Sequence, residues 1–146
     1  MSKTTRFLAA FVVYLVVDLA WNMSPPAVAM YANLHEASGN DWSFGKPMDT
    51  WGGIEIAGLV VFFALIALAN SHLAIGPAIR EASLQRALKN GFLLGCAAYA
   101  TYIVPVFISI RNWPAALIPI DILIGGMLSL ATSGIVTWWA LRRRAA

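Results

Sequence analysis

The run FLAAFVVYLVVDLAWNM, residues 7–23, decides how the rest of the chain is understood. It has the outline of a cleavable signal peptide, because Lys3 and Arg6 precede it and Ala27-Val28-Ala29 follows like a cleavage site. It is also apolar enough to be a membrane span. Asp18 separates the two readings. A carboxylate inside the apolar region is foreign to a signal sequence, so the run is taken as a transmembrane helix. It sits at the short end of the spanning range, since a hydrocarbon core of ~30 Å takes ~20 helical residues. Pro25-Pro26 is expected to stop the helix after Ser24.

Three further apolar runs, at residues 52–73, 91–110 and 115–139, have spanning length. Composition agrees: of 146 residues, 60% are hydrophobic and 12% charged, with a mean hydropathy of +0.71, which no ordinary soluble domain carries. The expected fold is all-α, a polytopic membrane protein forming one four-transmembrane-helix bundle over residues 1–146. No domain boundary, low-complexity tract or internal repeat interrupts it. Cys96 is the sole cysteine, so no intramolecular disulfide can form.

The basic residues follow the membrane and not a nucleic acid. With the N-terminus inside, Lys3, Arg6, Arg80, Arg86, Lys89, Arg142, Arg143 and Arg144 fall in the cytoplasm, against Lys46 and Arg111 outside. The segment 24–50 carries Glu36, Asp41 and Asp49 and is expected to be an outer loop with turns at Ser38-Gly39-Asn40-Asp41 and Gly45-Lys46-Pro47. Trp21, Trp42, Trp51 and Trp113 then mark the outer interface, and Trp138 and Trp139 the inner one. Both termini are therefore expected to be cytoplasmic. Residues 78–89 are basic and amphipathic, and are expected to lie on the cytoplasmic leaflet or to continue into the third helix.

In that orientation acids from three spans share one layer. At ~1.5 Å per residue, Asp18, Glu55 and Asp121 lie about 7, 4 and 9 Å below the outer ends of their runs. Glu55 is close enough to the interface to reach water. Asp18 and Asp121 are short, and an acid at mid-bilayer costs ~2.5–3.5 kcal/mol on insertion scales, so each is expected to be a protonated carboxyl, to hydrogen-bond a neighbouring hydroxyl or amide, or to sit in a polar pocket open to the outer side. Tyr14, Asp18 and Trp21 or Asn22 share one face of the first span, and Thr101 and Tyr102 reach the same depth on the third, where Pro105 is expected to kink the helix. The candidate ligand-binding residues are thus Asp18, Trp21, Asn22, Glu55, Thr101, Tyr102 and Asp121, with Asp18 and Asp121 expected to form a coupled pair. Gly125, Ser129, Thr132 and Ser133 on the fourth span, and Gly91 and Gly95 on the third, are the small residues of helix packing. His35, Glu36, Asp41 and Asp49 match no ligand spacing, His72 lies at the far membrane face, and no nucleophile elbow, phosphate loop or zinc motif occurs. Neither a metal nor a cofactor is expected.

The stretches VVYLVVDLAWN, YANLH, GFLLGCAAYATY and NWPAALIPIDILIGG, with the four-span layout, resemble the bacterial family of predicted inner-membrane proteins called domain of unknown function 2177. The resemblance implies a multi-pass protein of the bacterial inner membrane and directs attention to Asp18, Trp21, Tyr102 and Asp121. Members of that family carry an Asp and an Asn where this chain has Ile103 and Val106, and usually a Trp at Ile124.

Three functions compete. The leading expectation is a binding or carrier protein whose outward pocket holds a small amphiphile, a lipid headgroup or a proton. The second is a lipid-modifying enzyme using Asp18 and Asp121 as acid and base. The third is an assembly subunit with the acids as interhelical glue. Expected partners are the lipid bilayer, an amphiphilic ligand or lipid, and no nucleic acid, with self-association left open.

Overall fold

The computed structural model describes residues 1–39 and 50–145. The expected turns at Asn40-Asp41 and Gly45-Lys46-Pro47, together with Trp42 and Asp49, lie outside them. The described residues are helical and contain no strand. Four helices are long and apolar enough to cross a membrane.

Helix α1 (Lys3–Asn22) starts at Ser2, whose hydroxyl accepts the Thr5 amide at 3.1 Å. Ser24 then repeats the device. It caps α2 (Pro25–Ala37), taking the Ala27 amide at 3.3 Å, while both prolines occupy the first helical turn. The expected loop therefore begins with a helix. A proline lacks the amide that the first turn leaves unbonded anyway, so Pro25-Pro26 end α1 and open α2. Gly39, at a φ of 66°, closes α2 in the left-handed conformation that glycine tolerates.

The second span is α3 (Gly53–Ala69), a π-helical turn over Asn70–Ile75, and α4 (Gly76–Arg80), continuous as a rod over Gly53–Arg80. A short turn, with Ala82 at φ 50°, leads into α5 (Leu84–Ser109), which Ser83 caps and which runs through Pro105 unbroken. The basic segment 78–89 is thus divided between two helices, and its Arg86 pairs with Glu81 at the turn. Last comes α6 (Leu117–Ala145).

The axis of the bundle is α6, against which α5, α1 and the π-turn all pack. Its contact with α5 is the most extensive among the described residues. A β-carbon on Gly95 would sit 1.9 Å from the Gly125 carbonyl oxygen, and one on Gly125 would sit 2.1 Å from the Tyr99 ring. The small residues read as packing do pack, inside this one chain. Glycines let backbones approach where lipid supplies no hydrophobic drive between helices.

Two features of α3 place the site. In its inner part, Phe63, Ile66 and Ala67 are buried against α1 and α6. Its first turns behave differently: from Gly53 to Phe62 no residue is buried, and Ile54 is 82% exposed. The N-terminal half of α3 stands off from the core, and α3 packs on α1 and not on α5.

Candidate functional site

Where α3 diverges, a cavity of about 320 Å³ opens between α1, α3 and α5, lined by Asp18, Asn22, Phe62, Tyr99 and Tyr102. Asp18 forms its floor at 8% exposure. The phenol of Tyr99 donates to Asp18 Oδ1 at a long 3.3 Å. The Asn22 amide, one turn on, donates to the Asp18 backbone carbonyl at 2.9 Å. Tyr14, one turn back, is fully buried beside Tyr99 and Ser129, and its hydroxyl finds no hydrogen bond of good geometry. A carboxylate has about four lone-pair positions, so Asp18 is under-satisfied where it meets the cavity.

Asp121 is 3% exposed and is served differently. Tyr31 of α2 donates to its Oδ1 at 2.5 Å and Tyr102 to its Oδ2 at 3.1 Å. Among the described residues no hydrogen bond joins Asp18 to Asp121. The two acids of the expected coupled pair are linked through a chain, Asp18 to Tyr99 and Tyr102 to Asp121, in which the two phenol rings meet edge to face at 5.4 Å. Short aspartates on helices held apart by other side chains cannot touch; tyrosines span the gap.

The other candidates scatter. Tyr102 and Asn22 line the cavity. Trp21 packs against the cluster of Tyr14, Phe63, Ile66 and Leu128, behind Asp18. Thr101 is exposed and returns its hydroxyl to the Ala98 carbonyl at 2.6 Å, so it stands outside the site. Glu55 caps α3, accepting the Gly52 amide at 3.0 Å, and is absent from the cavity lining.

Sequence reasoning passed over Tyr31, Tyr99 and Asn70. Tyr99 precedes Tyr102 by the i, i+3 step of one helix face, a signal that was available. Tyr31 lay in a segment read as loop. Asn70 is fully buried in the π-turn; its amide donates to the Ile66 carbonyl at 2.9 Å and, more weakly, to Ser129 at 3.4 Å, and its oxygen accepts from Ser133 at 2.8 Å. The next residue, Ser71, accepts the Arg6 guanidinium at 2.9 Å. With Thr132 and Thr137, also fully buried, these groups continue the polar interior from the acids toward the basic end.

The cover over Asp121 has its own chemistry. Burial and the adjacent Asp121 raise the Tyr31 phenol, which keeps its proton and stays a donor. Burial lowers His35, outweighing the opposing pull of Asp121, and its ring meets that of Trp113 edge to face at 4.9 Å. A histidine lowered in the fold resists protonation that the unfolded chain accepts near 6.5. Its contribution is complete above that value and is lost as pH falls through it. Thermal stability is expected to drop between pH 7 and 5, and His35→Gln to flatten that slope. Tyr31→Phe removes a charge-assisted donor and is expected to cost about 1.5–3 kcal/mol in unfolding experiments. An unchanged melting temperature would mean that α2 is not anchored through Asp121.

The family model of predicted membrane proteins called DUF2177 matches residues 3–139. The chain belongs to that family. The match covers the first three spans, α2 and most of the fourth span. No curated protein and no solved structure matches. In this DUF2177 protein, Ile103 is fully buried and apolar inside α5. The phenols of Tyr99 and Tyr102 carry the polarity on the cavity side of that helix.

Proposed function

We propose that this DUF2177 protein binds and carries a small amphiphile whose polar head occupies the cavity at Asp18. One observation carries the reading: a buried, under-satisfied carboxylate forms the floor of a cavity within a membrane-spanning bundle. A volume of about 320 Å³ suits a headgroup or a small metabolite. The distribution of basic residues supports cytoplasmic termini and a cavity in the outer half of the bilayer, and the family resemblance implies that this is a bacterial inner membrane.

The competing functions draw less support. Asp121 lies outside the cavity lining with both oxygens held by phenols, which leaves an Asp18 and Asp121 acid and base pair without a shared substrate position. The small residues that an assembly subunit would offer to partners are consumed between α5 and α6.

Native mass spectrometry of protein released from its membrane is the test. A defined small adduct is expected on the wild type, and its occupancy should fall at least about tenfold in Asp18→Asn, the change that costs ~1.4 kcal/mol of binding. An adduct indifferent to Asp18 and Tyr99 substitutions would end this reading.

A further inference from the structure

The outer half of α3 and the facing part of α5 bound the cavity on its membrane side. Phe62 and Tyr102, which line it from those two helices, are 42% and 45% exposed on the surface that meets lipid. Phe62 is nine residues from the start of α3 and Tyr102 seven from the end of α5, which at ~1.5 Å per residue sets the mouth about 10–14 Å inside the helix ends. That depth belongs to acyl chains. A ligand coming through this gap brings an alkyl tail.

The lining fixes the charge of its head. The Asp18 carboxylate receives a long hydrogen bond from Tyr99 and has the Asn22 amide beside it, and among the described residues no lysine or arginine pairs with it or with Asp121. The remaining walls are the Asn22 amide and the rings of Phe62, Tyr99 and Tyr102. Aromatic faces attract cations, and a carboxylate with vacant acceptor positions calls for N–H donors. An anionic head would meet the repulsion of Asp18 there, and a neutral hydroxyl would bring one donor and no charge.

We infer that the cavity takes the primary ammonium group of a long-chain amphiphile, admitted sideways from the bilayer between α3 and α5. This inference rests on the proposed carrier function and specifies its ligand class. An ammonium head sits on Asp18 with its hydrogens on the vacant carboxylate positions, its methylenes cross between Phe62 and Tyr102, and its tail stays among the lipids.

The test compares dodecylamine, dodecyltrimethylammonium, dodecanol, dodecyl phosphate and ethylamine on the purified full chain in neutral detergent, counting saturable one-to-one adducts by native mass spectrometry. Dodecylamine is expected to bind at least about tenfold tighter than dodecanol, and Asp18→Asn to abolish that preference. Equal binding of amine and alcohol overturns the inference and leaves the carrier function standing. No saturable binding of any probe overturns both. Preference for dodecyl phosphate, or for the trimethylammonium head that has no N–H to donate, overturns the ammonium assignment. Ethylamine binding as tightly as dodecylamine overturns lateral admission and points to a free amine. Should Asp18→Asn fail to fold, the wild-type ranking still decides, and Phe62→Ala tests the mouth: the advantage of dodecylamine over ethylamine should shrink.

Discussion

Gly95→Val is expected to lower the unfolding free energy by about 3 kcal/mol or more, at the upper end of what overpacking costs. A β-carbon at this position would lie 1.9 Å from the Gly125 carbonyl oxygen and 2.6 Å from the carbonyl carbon. Both are backbone atoms in the middle of α6, so no rotamer change relieves the clash and the two helices must separate. Tyr99 and Tyr102 follow Gly95 on α5 by about one and two turns, and separation draws their phenols off Asp18 and Asp121. Loss of stability and loss of ligand should therefore arrive together. Gly58→Ala is the control, since nothing lies within 4 Å of a β-carbon there. It removes a flexible residue from a helix interior and is expected to stabilise by about 0.5–1 kcal/mol. Unfolding by sodium dodecyl sulfate titration reads both; a Gly95→Val protein as stable as wild type would mean that α5 and α6 do not meet at this point.

The second large effect is expected at Asn70. Asn70→Asp keeps the shape but sets an oxygen where the amide donated to the Ile66 carbonyl at 2.9 Å, and places a charge at a position with no solvent exposure. An unpaired buried charge costs about 3–5 kcal/mol. Asn70→Leu removes the same hydrogen bonds without adding charge. Polar contacts between membrane helices are worth about 0.6 kcal/mol on average, so leucine should cost on the order of 1 kcal/mol. The order of the two variants is the decisive result. If aspartate is tolerated better than leucine, water or a counter-charge reaches this turn and the interior is not the closed network of Asn70, Ser129 and Ser133.

The all-α class and the four spans were set by the sequence, because crossing a hydrocarbon core demands long apolar runs whatever the neighbouring helices do. So was the place of Asp18 and Asp121 near one end of their helices, which follows from counting residues at a fixed rise. Gly91 and Gly95 were legible as packing residues, because only small side chains allow close approach. The partners of the acids were not legible. Tyr31 reaches Asp121 only because α2 folds back over the bundle, and Pro25-Pro26 reads equally as the end of one helix or the start of another until Ser24 is seen to cap the second. Which acid faces a cavity was likewise decided in three dimensions: α3 leans away from α5 on Asp18's side, while Tyr31 and Tyr102 close over Asp121. Local sequence fixes where along its own helix a side chain lies; the tilt and rotation of one helix against another come from contacts between residues far apart in the chain, and those contacts separate a carboxylate that lines a cavity from one with a phenol on each oxygen.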